Sequence, residues 1–119
     1  MIRAVYKAPN EKAKIIEIEN TLEAYQKAVT GTIETLLIAE NTIIICNEDG
    51  KNHEDISANF VLGLQSGWTD VIVGPVLIVG TCEDDFISLT EEQQKKYLKL
   101  FNKAKRELGM TIPFIKMGG

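Results

Sequence analysis

The sequence is poor in the residues that most often announce chemistry. Among its 119 residues there are two cysteines, one histidine and one tryptophan, and aromatic residues make up 7%. Cys46 and Cys82 are too few and too far apart for a disulfide framework or a zinc site, so both are expected as reduced thiols. Cys46 closes an isoleucine run and reads as a small buried hydrophobe, whereas Cys82 falls in a turn-like segment. His53 is surrounded by Glu48, Asp49, Glu54 and Asp55. Carboxylates in a turn with a single imidazole make a poor metal set, so no metal is expected and His53 reads as an exposed loop residue. A nucleophilic pair of Cys46 and His53 is not signalled by spacing.

Long apolar runs are also missing. None approaches the roughly 20 residues needed to cross a bilayer, and "MIRAVYKAPNEKAK" at the N-terminus lacks the apolar core of a secretory signal. A cytoplasmic protein without membrane association is expected. There is no basic excess either: the net charge is -4. Nine acidic residues between Glu17 and Asp55 meet only Lys27 and Lys51, and six between Asp70 and Glu92 meet no basic residue. Direct nucleic-acid binding, which depends on neutralising phosphates, is not expected of such a body. The exception is Lys95, Lys96, Lys99, Lys103, Lys105 and Arg106, which follow one another without an intervening acid. They read as a solvated helix face able to touch a phosphate or an acidic partner.

What remains is ordinary globular composition, with 45% hydrophobic and 25% charged residues, in a length suited to one domain over residues 1–119. "IRAVYK" at 2–7 and "KIIEIE" at 14–19 read as a strand pair about the "PNEK" turn. Asn20 with Glu23 offers a capping box for a short helix whose apolar face is Leu22, Tyr25, Ala28 and Val29. Gly31 is placed to end it in a left-handed conformation. "TIETLLIA" and "TIIIC" predict a hairpin of strands at 32–38 and 42–46, and "NEDGK" closes it with Asp49-Gly50 as a positive-φ turn. Ile56, Phe60 and Leu64, spaced by four, suggest a second helix. "DVIVGPVLIVG" at 70–80 predicts one long central strand kinked at Gly74-Pro75, and "CEDD" then turns into a strand "FISL". "TEEQ" from Thr90 opens the longest helix, at about 91–108, with Tyr97, Phe101, Ala104 and Leu108 as its stripe and Gly109 as its stop. The tail "MTIPFIKMGG" suits an edge strand or an interface with a second copy in a homodimer. The expected fold is therefore α+β: about six hairpin-connected strands in a mostly antiparallel sheet, with three helices.

The glycines at 74 and 80 invite comparison with a phosphate loop. The intervening "PVLIV" must be extended, however, so consecutive N–H groups point to opposite edges and cannot converge on one anion. No cofactor is expected. Tyr6, Tyr25 and Tyr97 sit at core-facing positions and do not alternate with basic residues, so they form no base-stacking platform. Trp68, after Ser66-Gly67, either lines a partner site or caps the edge of the core. The candidate binding residues are Asn47, Glu48 and Lys51 in the turn, together with Trp68.

On "NEDGK" at 47, "DVIVGPVLIVG" at 70, "FISLTEEQ" at 86 and "NTLEAYQKAVTGTIETL" at 20, the chain resembles an uncharacterised domain-of-unknown-function family. Its members are small proteins from phages, plasmids and conjugative elements. One departure stands out: the family usually has a proline-containing segment ending in asparagine with a basic neighbour, where this chain has "NHEDISANFVLGLQSGW" and Asn59 is followed by Phe60. The family supplies no catalytic residues. It implies an accessory gene of a mobile element; with the small acidic body and the absence of a catalytic set, the expected function is a non-enzymatic protein that binds a host or element-encoded protein to modulate host defence or transfer. Two other readings stand beside it. One is a binder that sequesters a small ligand such as a nucleotide signal, using Lys51, Trp68 and the basic helix. The other is an acidic mimic of nucleic acid.

Overall fold

The computed structural model describes residues 1–52, 55–104 and 112–117. Along the chain these form β1 (Ile2–Lys7), β2 (Lys14–Ile18), α1 (Leu22–Val29), β3 (Ile33–Ala39), β4 (Thr42–Asn47) and a 3-10 turn at Gly50–Asn52. There follow β5 (Ala58–Leu64), β6 (Thr69–Val73), β7 (Val76–Cys82), β8 (Asp85–Ile87), α2 (Glu91–Lys103) and β9 (Phe114–Met117). The α+β class holds, with nine strands and two helices among the described residues.

The strands divide between two sheets. The larger runs β2-β1-β7-β4-β3, with β8 attached to β7, and the smaller runs β6-β5-β9. All pairs are antiparallel except β5 with β9. The unbroken apolar runs of β4 and β7 follow from their central place in the larger sheet, because both of their faces are covered. Register sets Ile78 opposite Val5 on one side and Ile44 on the other, making one row. That row packs into a core with Phe60, Leu62 and Ile72 of the smaller sheet and Tyr97 and Phe101 of α2. Ile45 and Leu77, adjacent in the next row, belong to the opposite face, where Tyr25 and Val29 of α1 cover them. The molecule is thus layered, with α1 on one face of the larger sheet and the smaller sheet with α2 on the other.

Several local expectations change. The chain at 70–80 is two strands in two sheets: Gly74 takes φ +82, Pro75 supplies no N–H, and the path leaves the smaller sheet for the larger one. The helix expected from Ile56, Phe60 and Leu64 is instead strand β5. A spacing of four is a multiple of two, so it satisfies a strand as well as a helix, and the apolar neighbours Val61 and Leu62 complete the strand. The N-cap of α1 is Thr21, whose side chain accepts from Ala24 N at 3.2 Å. Asn20 instead accepts from Tyr25 Oη and donates to Phe86 O at 3.2 Å. Thr30, not Gly31, takes the left-handed position with φ 65 at the C-terminal end. Asp49 and Gly50 do not have positive φ; the turn becomes the 3-10 segment, and Gly50 is needed because a Cβ there would lie 3.0 Å from Val73 O.

Other expectations hold. The hairpins β1–β2 and β3–β4 are present, and Thr90 with Gln93 forms a complete capping box on α2. The tail pairs beside β5 as an edge strand. Within the described residues α2 ends at Lys103, and the expected end near Leu108 and Gly109 lies outside them, as does His53.

Candidate functional site

β3 is an edge strand of the larger sheet and β6 an edge strand of the smaller one. Between these two edges the stacked sheets gape into a concavity of about 150 Å³ lined by Glu34, Leu36, Asn47, Glu48, Lys51 and Trp68, with Asp70 and Val71 beside them. The four residues singled out in the sequence, Asn47, Glu48, Lys51 and Trp68, therefore lie around one depression. Their local anchoring differs. Asn47 is buried: its Nδ2 donates to Val29 O and Thr30 O, each at 3.2 Å, and its Oδ1 accepts from Asp49 N at 2.8 Å. It ties the end of α1 to the start of the turn, so its side chain is committed to backbone groups. Glu48 and Lys51 are exposed.

Lys51 makes an ion pair with Asp70, which also accepts from Val71 N at 2.8 Å. The hydrogen bond from Lys51 holds the Asp70 carboxyl below the usual range, against a smaller effect of burial, and the Val71 N–H adds to it. That second bond occupies a donor on an edge strand, which blunts the strand against indiscriminate pairing. Trp68 is 40% exposed at the turn that joins β5 to β6, where its carbonyl accepts from Leu64 N at 2.8 Å. Its ring therefore offers apolar area from a fixed backbone.

Cys46 also lines the concavity. Burial, aided by Glu34, pushes its thiol up to about 11, so it stays protonated near neutrality and is a poor nucleophile. Cys82 is exposed. Among the described residues no group of three or more His, Cys, Asp or Glu could hold a metal ion, and no helix is long and apolar enough to cross a membrane.

A second polar constellation has no counterpart in the sequence expectations. Lys7, only 5% exposed, donates from Nζ to Ala8 O at 2.7 Å and to Asn59 Oδ1 at 2.9 Å. Asn59, 1% exposed, donates in return to Lys7 O at 2.8 Å and to Gly74 O at 2.9 Å. Burial draws the Lys7 ammonium below the usual lysine range, with Glu11 acting more weakly the other way. Both residues border a depression of about 220 Å³. A signal was present for Lys7, since it shares strand parity with the core residue Val5. Asn59 is turned inward beside Phe60 by a register shift between Ala58 and Phe60, which no alternation pattern anticipates.

The family model described as "Domain of unknown function (DUF3846)" matches residues 2–102. The chain belongs to this family. The match spans β1 through nearly all of α2, so the DUF3846 region includes both the β3–β6 concavity and the Lys7–Asn59 pair. No curated protein and no solved structure matches the chain.

Proposed function

We propose that this DUF3846 protein is a non-enzymatic accessory protein of a phage or other mobile element, acting in the cytoplasm by binding a host or element-encoded protein. The observation that supports the reading best is the grouping of Lys51, Glu48 and the half-open Trp68 ring around one depression between two sheet edges. A central aromatic with a charged rim is the usual anatomy of a protein-binding hot spot. The depression's volume of about 150 Å³ suits one anchoring side chain of a partner. It is well below the roughly 300 to 1,000 Å³ of sites that enclose a small molecule, which weighs against a nucleotide signal bound here.

The test is affinity capture from host lysate with the intact protein and with Trp68→Ala, followed by direct titration of the captured protein after purification. The tryptophan's own emission shift on complex formation provides a second readout. Trp68→Ala is expected to weaken the complex by about 2 kcal/mol or more, roughly thirtyfold, while leaving the thermal midpoint nearly unchanged. Equal affinity of the two proteins for the captured partner would overturn the reading. So would stabilisation by nucleotides that grows with ligand excess and is abolished by Trp68→Ala.

A further inference from the structure

A separate groove of about 490 Å³ runs between α2 and β9, distant in the fold from the β3–β6 concavity and independent of the reading given to it. Lys96, Lys99 and Lys103 line its helical wall and Lys116 its strand wall. All four are exposed, and none takes part in the two ion pairs found among the described residues, Arg3–Glu17 and Lys51–Asp70. Leu100 and Phe114, both partly buried, supply apolar lining between the walls. Phe114 is seated over Gly63, where a Cβ would come within 2.8 Å of the ring, so the strand side of the groove is shaped by the absence of a side chain on β5. On a chain whose net charge is -4, this is a concentrated basic feature.

We propose that this groove binds an acidic amphipathic helix presented by a partner protein. The lysines of α2 recur at intervals of three and four residues over about 10 Å of helix axis, the spacing at which carboxylates recur along one face of a neighbouring helix. Lys116 meets carboxylates on the opposite flank, and the apolar lining takes the partner's hydrophobic stripe, as in other helix-in-groove complexes. A single phosphate or carboxylate would engage one or two of the ammonium groups and leave the apolar lining unused. A nucleic-acid backbone would outrun two helical turns and then meet the acidic body.

The probe is a fluorescein-labelled designed 14-residue peptide with leucines at i, i+3, i+7 and glutamates flanking that stripe. Its controls are a scrambled peptide of the same composition, ATP and a single-stranded oligonucleotide. Anisotropy is expected to give at least about tenfold tighter binding of the striped peptide than of the scrambled one, with the affinity falling as salt is raised. The triple variant K96E/K99E/K103E and, separately, Lys116→Glu on the other wall are each expected to weaken it by about tenfold or more. Amide shifts in the wild-type protein are expected at 96–104 and 114–117. Because these side chains are exposed, the variants are expected to remain folded with the wild-type far-UV circular dichroism, although reversing Lys103 in the last turn of α2 and Lys96 over the Tyr97 ring lowers the thermal midpoint somewhat, and Trp68→Ala leaves peptide binding unchanged. Equal binding of striped and scrambled peptides, amide shifts located elsewhere, or tighter binding of ATP or the oligonucleotide would each overturn the proposal. So would a sedimentation result showing the groove occupied by a second copy of the chain.

Discussion

Replacing Asn59 by leucine tests whether the buried Lys7–Asn59 pair holds the two sheets together. The amide accepts one bond from Lys7 Nζ and donates one each to Lys7 O and Gly74 O. Leucine is close in volume, so the cavity contribution is small, but it leaves the ammonium with Ala8 O as its remaining protein acceptor and deprives two carbonyls of their donor. A buried polar group stripped of its partner costs about 1 to 3 kcal/mol, and the loss at these three groups is expected to total about 4 kcal/mol. Against a total stability of about 5 to 15 kcal/mol this is large enough to measure cleanly by urea unfolding followed by circular dichroism. A double-mutant cycle with Lys7→Met sharpens the test, because the double variant no longer buries an unpaired charge. It should be more stable than the sum of the single effects implies by about 2 kcal/mol. The pH dependence has a definite sign. Burial lowers the folded-state value of Lys7 below its ordinary 10.5, so between the two values the unfolded chain holds more protons and stability rises with pH. Leucine at 59 removes an acceptor that favours the charged ammonium, so the deficit of Asn59→Leu relative to wild type should shrink as pH is raised towards 10.5. A cost below about 1 kcal/mol, or strict additivity with Lys7→Met, would refute the reasoning.

Gly74→Ala should cost about 2 kcal/mol in the same unfolding assay, because φ is +82 and the new Cβ would meet Ile56 Cγ2 at 3.0 Å. Gly67→Ala, with φ +96 and nothing within 4 Å, should cost only about 1 kcal/mol, and equal costs would remove the clash from the account. Asn47→Ala should lose about 2 kcal/mol by releasing the end of α1, which far-UV circular dichroism and amide exchange at Val29 to Thr30 would register; unchanged stability would contradict the hydrogen bonding described. For Cys46 the folded value is raised from 9.0 to about 11, so its contribution is intact below pH 9 and is lost as pH rises through that interval. The loss amounts to about 3 kcal/mol at most, and Cys46→Ala should flatten this part of the alkaline stability curve. With a maleimide probe Cys82 should react at once and Cys46 only on unfolding; similar rates would show that Cys46 is not buried.

The hairpins and the α2 capping box were legible because their determinants are local: alternating isoleucines, turn residues, and a Thr90-Gln93 pair three residues apart. The grouping of Lys51, Glu48 and Trp68 was legible only as two segments of interest, since the sequence does not say that β3 and β6 end as neighbouring edges. What failed was information carried by tertiary pairing. Gly74-Pro75 signals a break, but whether the chain bends within one sheet or crosses to another depends on which strands await it. The periodicity of Ile56, Phe60 and Leu64 is shared by helix and strand, and only the partners β6 and β9 decide it. Thr30 and Asn59 show the same limit at single residues: a threonine in the left-handed region, whose carbonyl accepts from Asn47, and a buried asparagine bonded to Lys7 each have partners distant in sequence.

The parallel pairing of β9 with β5 has a consequence for biosynthesis. β5 can find its hairpin partner β6 within residues 58–73, yet its other edge, carrying Val61 and Leu62, has no partner until Phe114–Met117 has been synthesised, after the whole of α2. During that interval a nascent chain displays an apolar strand with unsatisfied hydrogen-bonding groups, the kind of edge that recruits other chains. Closure of the smaller sheet is thus a late event that depends on the arrival of four residues, and a chain stopped before residue 112 would be expected to fail by aggregation rather than by loss of the larger sheet.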